Sequence, residues 1–110
     1  MSIYVLRGRY SAEALKGMMA SPEDRETAIA KVVEKAGGKL VGYYVTFGDD
    51  DWLVIIDVPS NEAALTIALV AAAGGSVSDT KTTVAMTAKQ AMAAFKAAGD
   101  LAKSFKSAGR

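Results

Sequence analysis

The chain has 110 residues, of which 51% are hydrophobic and 23% charged, the size and balance of one ordinary globular domain. It contains neither cysteine nor histidine. That excludes disulfides, thiolate or imidazole metal sites, a histidine-ligated haem and a Ser–His–Asp triad. A net charge of +1 supplies no overall field for nucleic acid or for an anionic membrane.

Met1-Ser2-Ile3-Tyr4 has none of the basic, apolar and small-residue regions of a signal peptide. The longest mostly apolar run, Ala63 to Gly75, falls short of the roughly 20 residues needed to span a bilayer. These features predict a cytoplasmic protein with no membrane partner.

Ile3 to Arg9 is rich in β-branched and aromatic residues and predicts a strand. Ser11 caps a short helix, Ala12 to Met19, and Ser21-Pro22 opens a second helix with acids in its first turn. Ala28, Ile29, Val32, Val33 and Ala36 carry that helix to Gly37-Gly38. Leu40 to Phe47 and Trp52 to Val58 flank Gly48-Asp49-Asp50-Asp51 and predict an antiparallel hairpin. In the first of these strands Val41, Tyr43, Val45 and Phe47 alternate against Leu40, Gly42, Tyr44 and Thr46. The unbroken apolar run of the second predicts a central strand covered on both faces.

Ser60 caps a helix to about Ala73 whose apolar residues surround most of its circumference, so burial on more than one side is expected. Gly74-Gly75 ends it, and Val77 to Met86 is the fourth strand. Thr87 and Gln90 form a capping box for a final amphipathic helix over 88–107, with Met92, Phe95, Leu101 and Phe105 on its apolar side. The order describes one α+β domain over 1–110, a ferredoxin-like βαββαβ sandwich with an additional C-terminal helix. Two helices cover one face of the sheet, and a second subunit is expected on the other.

Around the hairpin the chain resembles the GYD-domain family of small bacterial proteins over about residues 3–95. The resemblance rests on Tyr4-Val5, Gly37-Gly38-Lys39-Leu40, Gly42-Tyr43-Tyr44, Thr46-Phe47-Gly48-Asp49-Asp50-Asp51, Val54-Ile55-Ile56 and Gly74-Gly75. Gly48 and Asp51 match the name motif, whereas Asp50 stands where tyrosine is expected and inherits no role from it. The resemblance implies a dimeric α/β-barrel-type assembly, two sheets packed face to face around a cavity. It implies no biochemical function.

No chemical motif exceeds what structure alone explains. Asp49, Asp50 and Asp51 read as a solvated turn, and no metal site or cofactor is expected. Arg7-Gly8-Arg9 and Gly74-Gly75-Ser76 lack phosphate-loop spacing. The strands lack the basic-aromatic pattern of an RNA-binding sheet. Arg7 and Asp57 are expected on neighbouring strands as an ion pair or as rim charges. Tyr4, Arg7, Tyr43, Tyr44, Asp51 and Trp52 are the candidates to line a small-molecule pocket between packed sheets. The leading reading is an uncharacterised homo-oligomer binding a small molecule. The alternative is an enzyme resembling cofactor-independent monooxygenases or small isomerases, with the aspartate as base and the arginine as anion holder.

Overall fold

A computed structural model describes residues 1–109. The elements are β1 (Ser2–Tyr10), α1 (Ala12–Ala20), α2 (Arg25–Lys35), β2 (Lys39–Val45), β3 (Trp52–Val58), α3 (Asn61–Ala73), β4 (Val77–Ala85) and α4 (Ala88–Ala102). The four strands form one sheet in the order β2-β3-β1-β4, with every adjacent pair antiparallel. This is the ferredoxin-like arrangement expected of the sequence.

The register divides the sheet into two faces. Tyr4 lies opposite Ile56, Leu6 opposite Val54 and Gly8 opposite Trp52, all on the side covered by α2 and α3. Tyr4, Leu6, Trp52, Val54, Ile56 and Val58 pack there with Val33 of α2 and with Ala64 and Ile67 of α3. Burial of these side chains is the main stabilising term, at about 1.5–3 kcal/mol for each large one. The opposite face carries Ile3, Val5, Leu53 and Ile55, half-buried and without a covering layer. β3 therefore alternates between buried and half-buried residues, and the expected cover on both faces is missing.

Two irregularities re-aim side chains. Leu40 pairs with Ile56 but Gly42 pairs with Ile55, so Val41 is an extra residue in β2. Beyond such a bulge every side chain changes face. Tyr43 and Val45 consequently join Leu40 on the helix side, and Tyr44 turns to the open face; simple alternation had set Leu40 against Tyr43. In β4 the register slips between Ser78 and Lys81, with Asp79 at φ 50°. Aspartate tolerates that left-handed conformation better than most residues.

The second helix begins at Arg25, not at Pro22. Asp24 is its cap, accepting from the Glu26 N–H at 2.9 Å, and Ser21 ends α1 by donating to the Gly17 carbonyl. A residue before proline is biased away from helix, which favours a break at Ser21. β2 stops at Val45, because Thr46 bonds across the loop to Asp50 and Asp51 and leaves Phe47 fully exposed. α4 ends at Ala102, short of the expected Ser107, and none of its residues is buried. Arg7 pairs in register with Leu53 and Asp57 with Ile3, so these two charges lie at opposite ends of the open face and form no ion pair.

Candidate functional site

The side chains with the most chemistry gather where β1, β2 and β3 meet the start of the helix layer. Asp51 sits at the foot of β3, fixed by its own N–H, which donates to the Gly8 carbonyl at 2.8 Å. Its Oδ2 accepts the Tyr10 N–H at 2.9 Å, with Arg9 Nε at 4.0 Å. Asp51 thus satisfies the last donor of β1 and ties the hairpin loop to it. Asp50 pairs with Lys81 at 3.0 Å and Asp49 offers its carbonyl to Arg9. The Asp50 and Asp51 carboxylates turn to different partners and Asp49 is held through its backbone, and among the described residues no group of three or more acids converges as a metal site.

Above this junction the Tyr10 and Tyr43 hydroxyls meet at 2.5 Å. Burial raises the pKa of Tyr43 well above the ordinary phenol value, with the Tyr10 hydroxyl adding to it and Arg25 opposing it. Tyr43 is therefore a neutral phenol at physiological pH, sharing a hydrogen bond with Tyr10 in which either hydroxyl can donate. Both tyrosines line a cleft of about 390 Å³ between α1, the start of α2 and the end of β2. Leu15, Met18, Arg25, Glu23, Asp24, Glu26 and Asp51 line it as well. Arg25 pairs with Glu23 at 3.1 Å and Arg9 approaches Asp51, so two of the four carboxylates are offset, and the remaining excess still disfavours anions.

A smaller apolar cavity of about 70 Å³ shares Tyr10, Arg25 and Tyr43 with the cleft and adds Leu6, Trp52, Val54 and Ile67. Trp52 is 5% exposed and its Nε1 is buried with no hydrogen-bond partner among the described residues. A buried donor left unmade costs about 1–3 kcal/mol. An acceptor reaching that indole would recover part of this. Gly8 permits the arrangement: a Cβ there would lie 2.7 Å from Trp52 Cζ2 and 2.9 Å from the Ser78 carbonyl.

The six residues singled out from sequence separate into two groups. Tyr43, Asp51 and Trp52 line the cleft or its inner cavity. Tyr4 is on the same side of the sheet but sealed in the core, its hydroxyl donating to Asn61 Oδ1. Arg7 and Tyr44 are on the open face, where the Tyr44 ring folds back over Gly42. Tyr10 and Arg25 were not foreseen. Tyr10 reads as the residue after a strand, and Arg25 as one more solvated charge in a helical first turn.

The GYD-domain family profile matches residues 4–95. Among solved structures, the crystal structure of FFRP-DM1 superposes with a TM-score of 0.50 at 16% identity, covering 78% of this chain and all of that one (100%). TTHA0845 from Thermus thermophilus superposes with a TM-score of 0.51 at 15% identity, covering 80% of this chain and 96% of its own. At these identities the likeness is one of fold. None of the curated proteins matches the chain.

Proposed function

The chain belongs to the GYD-domain family, and from that premise and the geometry above we propose that it is a homo-oligomeric, cytoplasmic small-molecule-binding protein. The observation that carries the binding role is the adjacency of an acid-lined cleft and an apolar cavity that share Tyr10, Arg25 and Tyr43, the cavity also lined by Trp52, whose buried indole N–H has no partner among the described residues. The ligand class is a compact organic molecule with an apolar body, neutral or cationic at its outer end, and a hydrogen-bond acceptor within reach of Trp52. Binding sites are commonly apolar concavities with a few convergent polar groups. The site so read lies under the helices, not between packed sheets.

Self-association through the open sheet face is supported by Ile3, Val5, Leu53 and Ile55, which stand half-buried with nothing over them. On the same face Asp57 buries Oδ1 without a partner, a cost that a second copy's donor would offset. The enzyme reading needs Asp51 as base. Its Oδ2 is already engaged by the Tyr10 N–H and Arg9, which favours a positioning role.

The test is titration of the intrinsic fluorescence of Trp52, the only tryptophan, with tyramine, whose phenol oxygen can accept from the indole, and, separately, with 4-hydroxyphenylpropionate. A saturable change with the amine and a much weaker one with the carboxylate is expected. No saturable response to either, or preference for the carboxylate, rejects the reading. Light scattering on the full chain addresses self-association, where a monomer mass counts against it.

A further inference from the structure

α4 packs little against the rest of the described residues. None of its residues is buried, and Met92, Phe95 and Leu101 are 66–75% exposed, with Phe105 just beyond at 74%. The molecule is correspondingly long, 61 × 33 × 21 Å, with a radius of gyration of 18.0 Å. A compact chain of this length has about 13 Å. Fifteen residues are marginal for an isolated helix in water, even with a capping box.

The body of the domain has a matching vacancy in its helix layer. Val84 lies opposite Tyr4 in register, on the helix side of the sheet, yet it is 64% exposed while Tyr4 is 3% exposed. α3 reaches the start of β4, where Val77 packs against the core, but leaves the rest of that edge strand exposed. Beside that gap α3, which the sequence marks as apolar nearly all round, leaves Leu65 and Leu69 about three-fifths exposed, at 58% and 59%. Among the described residues no helix covers the far half of β4, and α4, like the shorter α1, buries none of its own residues.

We propose that α4 is an exchanged arm, which docks over β4 and the outer side of α3 of a second copy of this chain. Only Met86 and Thr87 separate β4 from α4, and Thr87 is extended, at φ −67° and ψ 157°. A hinge this short directs the helix away from its own strand and favours exchange between copies. Charge agrees with the choice of occupant. Residues 88–110 carry five basic and one acidic side chain, net +4, whereas residues 1–87 carry eight basic and eleven acidic, net −3. The large apolar side chains of the arm, at roughly 150–200 Å² each, with the alanines between them, supply on the order of 600–800 Å². That approaches the roughly 800 Å² one partner gives a standard interface. The proposal rests on the self-association reading only in taking a second copy as partner; its contact lies on the opposite side of the sheet.

The test mixes isotope-labelled wild-type chain with unlabelled Lys96→Cys chain carrying a nitroxide, a unique label because the protein has no cysteine. Broadening of the wild-type amide signals around Leu69 and Val84 is expected, together with its loss when Met92→Gln and Phe95→Gln are added to the spin-labelled chain. Intermolecular broadening confined to Val5 and Ile55 would overturn the docking site while leaving the sheet-face association intact. In the reverse mixture, isotope-labelled and spin-labelled Lys96→Cys chain diluted into excess unlabelled wild type, broadening around Val84 that persists without any between chains would show the arm folding back on its own domain, and so refute exchange. Absence of all intermolecular broadening dismisses both contacts. Retention on phosphatidylserine vesicles that Phe95→Gln abolishes, with solution mass unchanged, would give the stripe to a lipid surface instead.

Discussion

Gly8→Ala places a methyl group against the inner wall of the cleft, and its consequence follows from three distances. The new Cβ would stand 2.7 Å from Trp52 Cζ2, 3.2 Å from Cε2 and 2.9 Å from the Ser78 carbonyl oxygen. The carbonyl belongs to a paired strand and cannot retreat far, so the indole must move. Space for it exists in the adjoining cavity of about 70 Å³. Overpacking of this kind costs about 1–3 kcal/mol. Replacing glycine in a strand returns about 0.5–1 kcal/mol through reduced backbone freedom. The net loss is then on the order of 1–2 kcal/mol, or a fall in melting temperature of about 5–15 °C for a domain of this size. Thermal unfolding followed by Trp52 emission measures both parts at once. The native-state emission should shift as the ring moves, and binding in the cleft should weaken with it. A variant with unchanged emission and a melting temperature within about 2 °C of wild type would refute this account of why Gly8 is glycine.

Tyr43→Phe should cost about 1 kcal/mol at neutral pH by removing the bond to Tyr10. The same variant tests the alkaline limb. Because the folded pKa of Tyr43 is raised, the folded state keeps a proton that the unfolded chain loses above about pH 10. Wild-type stability should fall as pH rises beyond that point, and urea unfolding of the variant should show a shallower decline. Asp51→Ala should cost about 1–2 kcal/mol by orphaning the Tyr10 N–H, nearly independent of salt because the exposed Arg9 pairing contributes little. Urea midpoints at low and high ionic strength check this. Thr87→Ala removes the capping box, worth about 1 kcal/mol to α4 alone. Far-UV circular dichroism should show lost helix and a lower oligomer mass should accompany it, while Trp52 reports a core that unfolds as before.

The sequence carried the element order because each boundary has a local cause. Ser11, Ser60 and Thr87 cap their helices as their types and positions imply. What it concealed is non-local. The extra residue at Val41 leaves no mark in composition, yet it decides that Tyr43 faces the helices and Tyr44 does not. The same slip divides the six candidate residues between the two faces. Tyr10 entered the site only through a partner 33 positions away, and Arg25 through the late start of α2 at Asp24. The apolar circumference of α3 was legible, but burial on more than one side is not met within the chain's own fold, where Leu65 and Leu69 stay exposed.

The most direct measurement is amide and indole chemical-shift mapping of isotope-labelled full chain during titration with tyramine, whose phenol oxygen is the acceptor. The account predicts saturable shifts at Tyr10, Arg25, Tyr43 and the single indole N–H of Trp52, which gains its missing acceptor environment. Shifts confined to Val5, Tyr44 and Ile55 would move the site to the open sheet face, and no saturable shift at any of these positions would contradict the binding role itself.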